Sequence, residues 1–141
     1  AVSVSAQVAQ THPGSRVAQR MAATYETYAR RNDLLAPIRS QLPVQAREIG
    51  FIAGSNDTDY SLWRPFGQRR VVYLRHSAGA FLAHPEGIEW LVVKANQWPQ
   101  ICPLPLAQWA QTNHFEIVFS TNIVELVSWG PEEWTLLHRQ K

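Results

Sequence analysis

The stretch that decides the fold is EIGFIAG, residues 48–54, a short apolar run that contains two β-branched isoleucines and ends at a glycine. Polar, turn-forming residues follow it at 55–57, so the run predicts a buried strand. Runs of the same kind occur at 70–75 and 89–95, and a short helical pattern at 77–84 lies between them. Because strands and connections alternate in this order, we expect the three strands to pair in parallel.

Upstream of the first strand, the pattern predicts two helices and a loose entry segment. Residues 1–14 are small and polar, which is typical of a linker. Apolar residues at helical spacing then predict an amphipathic helix over 15–28. A second, short helix is expected to start at Asp33 and to end before Pro43.

Downstream of the third strand, the predicted elements are a helix, a further strand and the two arms of a hairpin, at 105–112, 115–119, 123–129 and 133–138. Gly130-Pro131 separates the two arms, which is a hairpin signal. The expected fold is therefore a single α/β domain over 15–141. We expect it to be small and Rossmann-like, with a mainly parallel sheet flanked by helices and a C-terminal antiparallel hairpin.

The composition excludes several classes of function. Thirteen Lys and Arg residues against eleven Asp and Glu give a net charge of +2, which is too weak to indicate nucleic-acid binding. Cys102 is the single cysteine, so no intrachain disulfide and no paired-cysteine zinc site can form. The sequence has no apolar run long enough to cross a membrane. It begins without Met, which suggests a fragment of a longer protein.

The motifs that carry chemistry are incomplete. Residues 50–55 accompany a strand but match neither GxGxxG nor a Walker lysine loop, the two common nucleotide-binding motifs. Instead, we expect Gly50 to permit close packing of a helix and Gly54 to permit a turn. His84-Pro85-Glu86 imitates a zinc deaminase but lacks the second cysteine ligand. We therefore predict no cofactor, no metal and no catalytic residue.

Asp57 and Asp59 are two carboxylates in the loop after the first strand. Such a pair can hold a divalent cation or act on a sugar. More often, carboxylates in this position stabilise a turn by accepting a backbone hydrogen bond. An EF-hand is excluded because its twelfth position is Gln68 instead of a glutamate.

Six tryptophans are the least ordinary feature, because indole faces stack on sugars and other rings. Trp63 and Trp98 fall in predicted loops and are the better candidates for a binding surface. Trp129 and Trp134 flank the hairpin turn and could pair across it. The others are expected in the core or at its edge.

The segment SLWRPFGQRRVV, residues 61–72, holds more aromatic and arginine residues than a connection needs. Trp63 and Phe66 can pin this loop to the domain, and Arg64 and Arg69 can each bind a carboxylate or phosphate with a fork of N–H groups. The predicted binding residues are Asp57, Asp59, Trp63, Arg64, Phe66 and Arg69.

Together with IGFI at 49–52 and WLVV at 90–93, this segment resembles the soluble C-terminal region of bacterial membrane glycosyltransferases that are similar to dolichyl-phosphate-mannose protein mannosyltransferases. The likeness spans roughly residues 15 to 95 and includes the tyrosine-rich helix and the Leu-Pro stop before the first strand. It implies a non-catalytic accessory domain on the extracytoplasmic, periplasmic face of the inner membrane. The partners implied are the membrane-embedded remainder of the same polypeptide and a saccharide or protein acceptor.

Two other interpretations stay open. The chain could be a free-standing Rossmann-like domain that binds a small anionic ligand near 54–57, at the carboxyl ends of its strands. It could also be a small hydrolase or transferase that acts through Asp57 or Asp59.

Overall fold

One open sheet of five strands organises the described part of the chain. The computed structural model describes residues 16, 19, 20, 23, 33–54, 57–65, 68–74, 87–124 and 130–140. The strands are β1 (Glu48–Ile52), β2 (Arg70–Tyr73), β3 (Trp90–Lys94), β4 (Phe115–Val124) and β5 (Pro131–Arg139). Their order across the sheet is β2-β1-β3-β5-β4. The predicted α/β class is therefore confirmed, with strands in a mixed sheet.

The sheet has a parallel half and an antiparallel half. β1 pairs in parallel with β2 and β3, so that Gly50 lies opposite Val72 on one side and Leu91 on the other. β5 is antiparallel to both β3 and β4, and these two ladders are longer than the parallel ones. The predicted C-terminal hairpin is confirmed, but the prediction of a mainly parallel sheet is wrong.

The physical reason lies in β4 and β5. β4 continues through the polar residues 120–122, where the pattern predicted a break, and so forms one long strand. A short connection brings β5 back antiparallel beside it. Because β5 is apolar on both faces around Leu136 and Leu137, it is buried most fully inside the sheet, between β3 and β4.

The described helices are short. They are α1 (Ala36–Arg39), α2 (Trp98–Ile101) and α3 (Leu106–Thr112), with 3₁₀ turns at Tyr60–Trp63 and Ala95–Gln97. α1 and α3 confirm the predicted second and last helices, whereas α2 was not predicted. Helices this short flank the sheet only lightly, so the expected Rossmann-like helical layers are not seen in the described residues. None of the described helices has both the length and the apolar character needed to span a membrane.

The chain divides into two compact units, Ala1–Asp33 and Leu34–Lys141. In the first unit Arg16, Gln19, Arg20 and Ala23 are helical and exposed, and the first three belong to the predicted polar side of the first helix. The predicted linker 1–14 and the predicted helix 77–84 lie outside the described residues.

Two apolar clusters cover the two faces of the sheet, and side chains alternate between them along each strand. The first cluster contains α1 and the turn at 60–63, and its buried members are Leu35, Ile38, Leu42, Ala46, Ile49, Phe51, Leu62, Val92, Ile123, Trp134 and Leu136. The second contains α2 and α3, and its buried members are Ile52, Leu91, Val93, Trp98, Cys102, Trp109, Ala110, Phe115 and Leu137. The connections that leave β1 and β3 therefore pack on opposite faces of the sheet.

Gly50 lies where these layers are tightest. A Cβ added at Gly50 would lie 2.9 Å from Leu91 Cδ1 and 3.1 Å from both Ile88 Cγ2 and Leu74 Cδ1. Among the described residues, the glycine thus makes room for side chains of β3 and of the residues flanking β2 and β3.

Candidate functional site

The carboxyl ends of β1 and β3 form a topological switch point, because the loops that follow them leave toward opposite faces. In open α/β sheets this position is where ligands bind. Gly54 and Asp57 follow β1, and Lys94 ends β3. The sequence therefore placed Asp57 at the correct edge of the sheet.

A buried ionic cluster occupies this edge. Lys94 Nζ lies 2.6 Å from Asp57 Oδ1, and their side chains are only 6% and 8% exposed. Glu132, at the start of β5, forms a second ion pair with the same ammonium through Oε2. That contact is electrostatic, without the directed geometry of a hydrogen bond. We call Asp57, Lys94 and Glu132 the buried ionic cluster.

The cluster holds the loop after β1 in place. Asp57 Oδ2 accepts a 2.6 Å hydrogen bond from the Gly54 backbone N–H, and the Asp57 N–H donates to the Gly54 carbonyl at 3.1 Å. Asp57 therefore matches the interpretation of a turn-stabilising carboxylate. A Cβ at Gly54 would come within 3.1 Å of the same carboxylate oxygen, so a glycine suits this turn.

Trp134 forms the floor beneath the buried ionic cluster. Its ring centroid lies 5.4 Å from Lys94 Nζ, and the ring stacks on Phe51 at 5.8 Å. Trp134 is fully buried, and its Nε1 has no hydrogen-bond partner. The predicted cross-hairpin partner Trp129 lies outside the described residues, and Trp134 faces Thr121 across the β4–β5 ladder.

The second predicted carboxylate, Asp59, is also buried. Its Oδ2 accepts a 2.8 Å hydrogen bond from Trp63 Nε1, and its backbone carbonyl accepts one from the Leu62 N–H at 2.8 Å. Because a charged acceptor holds the indole N–H, the orientation of the Trp63 ring is fixed.

The inner side of the 3₁₀ turn at 60–63 anchors the loop to α1. Ser61 Oγ accepts a 3.0 Å hydrogen bond from the Leu35 backbone N–H, and the Ser61 carbonyl accepts one from Arg39 Nη1 at 2.9 Å. Leu62 is fully buried in the first apolar cluster. The turn therefore stands on a rigid base.

The outer side of the same turn presents two aromatic rings. Tyr60 is 55% exposed and Trp63 is 42% exposed. Residues three apart eclipse one another in a 3₁₀ helix, so the two side chains project from the same edge. We call Tyr60 and Trp63 the aromatic pair. The sequence prediction included Trp63 but missed Tyr60, for which the spacing of three was the available signal.

Three arginines meet beside the aromatic pair. Arg39, Arg64 and Arg69 line a shallow groove of about 270 Å³ together with Pro65. Arg69 is held by hydrogen bonds from Nη1 to the Arg64 carbonyl at 2.9 Å and from Nη2 to the Pro43 carbonyl at 3.1 Å. Burial, and next the charge of Arg39, lower the pKa of Arg69 below its ordinary value. The sequence prediction missed Arg39 because it belongs to another element.

Several other candidates are displaced from the site. Trp98, predicted as a loop surface residue, is buried in α2 and donates from Nε1 to the Leu104 carbonyl at 2.7 Å, so that prediction is wrong. Cys102 is buried. Phe66 lies outside the described residues. Among the described residues no group of three or more His, Cys, Asp or Glu side chains could hold a metal ion.

Comparison with models of known protein families, with curated proteins and with solved structures gives no match to this chain. The resemblance to the soluble region of membrane glycosyltransferases therefore stays a prediction.

Proposed function

We propose that this chain is a non-catalytic accessory domain of a polytopic membrane glycosyltransferase, and that its loop 57–69 binds a saccharide on the acceptor. The observation that carries the proposal is the aromatic pair, Tyr60 and Trp63, exposed on one edge of a turn whose other side is buried. Aromatic rings of this kind can stack on the apolar face of a sugar, and the Trp63 ring, held by Asp59, would do so with little loss of conformational entropy.

The state of the loop carboxylates supports a binding role over a catalytic one. A hydrolase or transferase needs a carboxylate that can reach a substrate. Asp57 is engaged by Lys94 and the Gly54 N–H, and Asp59 is engaged by the Trp63 indole. Both carboxylates therefore support the loop instead of facing outward.

The membrane setting of the proposal comes from the resemblance at 15–95. In the family concerned, the membrane part carries the catalytic acidic residue and binds the sugar donor, and the soluble part lies on the periplasmic face. Reading the parent gene upstream of Ala1 for apolar spans of about twenty residues tests this part directly. A frame without such spans would remove the membrane setting and leave the saccharide site to be tested alone.

Saccharide binding is tested on a glycan array with the chain and two matched variants. Tyr60→Ala removes one ring of the aromatic pair, and Tyr73→Ala removes a tyrosine of similar exposure from β2. We expect array binding by the unaltered chain, at least about a tenfold loss in Tyr60→Ala, and no comparable loss in Tyr73→Ala. Thermal unfolding of each variant verifies that it is folded.

A second candidate is supported by the strand order. The β2-β1-β3 half retains the Rossmann-like feature of a switch point, at which a small anion could bind near Gly54. The buried ionic cluster already fills much of this edge, which weakens the candidate. A screen of small anions by NMR distinguishes the two functions. An anion that binds at the switch point would shift the signals of Gly54 and of Gln97, whose side chain lies beside Gly54, but not the indole signal of Trp63.

A further inference from the structure

The groove beside the aromatic pair has an unusual concentration of positive charge. Its described lining consists of Arg39 from α1, Arg64 and Arg69 from the loop, and Pro65. Arg39 and Arg69 are close enough for the charge of Arg39 to lower the pKa of Arg69. Three guanidinium groups that line one groove present N–H donors of the kind that bind carboxylates and phosphates.

Two of the three guanidinium groups, those of Arg39 and Arg69, are held before any ligand arrives. Arg69 is bound to two backbone carbonyls, those of Arg64 and Pro43, and Arg39 is bound to the carbonyl of Ser61. The Nε atom of Arg69 is buried and has no hydrogen-bond partner. A preorganised set of N–H donors suits a flat or tetrahedral oxyanion, because the donors lose little entropy on binding.

Covalent geometry connects this groove to the aromatic pair. Arg64 directly follows Trp63, so their Cα atoms are only about 3.8 Å apart. Arg39 binds the carbonyl of Ser61, which lies within the same turn as Tyr60 and Trp63. The aromatic pair and the arginine groove therefore belong to one loop, which Arg39 joins to α1.

From this geometry we infer that Arg39, Arg64 and Arg69 form an oxyanion subsite, so that the saccharide bound by the loop carries a phosphate or a carboxylate group. The inference deepens the proposed function and rests on it for the saccharide. The oxyanion subsite itself rests on the groove alone. Arg39 is assigned here as a binding residue that connects α1 to the loop.

The test titrates the chain with three forms of one hexose, namely the neutral sugar, its 6-phosphate and its uronic acid, and separately with inorganic phosphate. We expect both anionic forms to bind at least about tenfold more tightly than the neutral sugar. Raising the salt concentration should reduce that preference, because exposed charge interactions are screened. A preference for only the phosphate or only the uronate identifies which anion the groove accepts.

Substitutions show which arginines cause the preference for anionic over neutral hexose. Arg64→Gln should abolish the difference between anionic and neutral hexose, and Arg64→Lys should keep part of it because the charge remains without the fork of donors. Arg70→Gln removes the same charge from neighbouring β2, where Arg70 is exposed and pairs with Glu48, and should leave the difference unchanged. Equal loss in Arg70→Gln and Arg64→Gln would overturn the subsite, since general surface charge would then explain the preference.

Side-chain NMR of the arginines separates failure of this inference from failure of the proposed function. Inorganic phosphate should shift the Nε signals of the groove arginines, even in Tyr60→Ala. If the neutral hexose binds but phosphate shifts no arginine and the anionic forms gain nothing, the subsite is wrong and the saccharide function stands. If phosphate shifts the arginines and no hexose binds, the saccharide function is wrong and the oxyanion subsite stands.

Discussion

The buried ionic cluster and the aromatic pair both combine a carboxylate with a tryptophan, but the first lies inside the domain and the second lies at its surface. In the buried ionic cluster a lysine lies over the Trp134 ring, and carboxylates on two sides neutralise it inside the domain. At the surface Trp63 also contacts a carboxylate, that of Asp59. Asp59 binds only the indole N–H, and Trp63 stays partly exposed. Burial, and not residue type, therefore decides which of these groups stabilise the fold and which stay accessible for the proposed binding.

The comparison makes the order of energetic effects predictable. Lys94 and Asp57 in the buried ionic cluster are almost inaccessible to water, so removing one of them leaves the other as an uncompensated buried charge. Exposed groups regain water when a partner is lost. Stability should therefore depend most on Lys94 and least on Tyr60.

The largest effect is expected for Lys94→Met. This change leaves the buried Asp57 and the partly buried Glu132 without their cation, and we expect the free energy of unfolding to fall by about 3–5 kcal/mol. Urea unfolding followed by tryptophan fluorescence measures it. The triple variant Asp57→Asn, Lys94→Met, Glu132→Gln should recover part of the loss, since no charge then remains buried. A loss below about 1 kcal/mol in Lys94→Met would contradict the assignment of this cluster to stability.

A smaller effect is expected for Asp59→Ala, because a hydrogen bond to a charged acceptor is lost and the Trp63 indole is released. Such bonds contribute about 1.5–3 kcal/mol, so we expect the free energy of unfolding, measured with urea, to fall by an amount in that range. Asp59→Asn keeps an acceptor oxygen and should lose less. The hydrogen-exchange rate of the Trp63 indole N–H should rise in Asp59→Ala; an unchanged rate would show that Asp59 does not fix the ring.

The exposed pair Arg70 and Glu48 should contribute little. The side chains are 74% and 44% exposed and their closest atoms lie 3.2 Å apart. We expect Arg70→Gln to change the free energy of unfolding by at most about 1 kcal/mol. The change should shrink further in about 1 M salt, where the screening length falls to about 3 Å. An effect as large as that of Lys94→Met would remove the contrast between buried and exposed charge.

The smallest effect on stability is expected for Tyr60→Ala. The ring is more than half exposed, so the free energy of unfolding should change by no more than about 0.5 kcal/mol. The same variant should lose the saccharide binding proposed above, which separates recognition from folding. Thermal and urea unfolding provide the measurement, and a loss above about 2 kcal/mol would mean that Tyr60 belongs to the structural part of the turn.

Much of the parallel half could be predicted from local pattern. β1, β2 and β3 begin and end within two residues of the predicted bounds, because short apolar runs between turn residues are recognisable without tertiary information. The position of β5 between β3 and β4 could not be predicted in this way. It depends on long-range pairing, and local periodicity does not specify the neighbours of a strand.

The candidate site was predictable in part for the same reason. Asp57, Trp63 and Arg69 stood out because they lie in one loop with unusual composition. The cation that engages Asp57 lies 37 positions away at Lys94, and no spacing rule connects the two. Trp98 was misplaced because the prolines around it resemble a loop, although its indole is satisfied by a nearby carbonyl inside the second apolar cluster.

The place of β5 also determines when the sheet can be completed. β5 is later in the chain than every strand it joins, yet it supplies the ladder between β3 and β4. During synthesis, β3 and β4 each expose an unpaired backbone edge until residues 131–139 have left the ribosome. Such edges invite pairing with other chains. This domain is therefore expected to depend on its last strand for solubility during biogenesis, and ribosome-bound intermediates that end before residue 131 should be the species that chaperones protect.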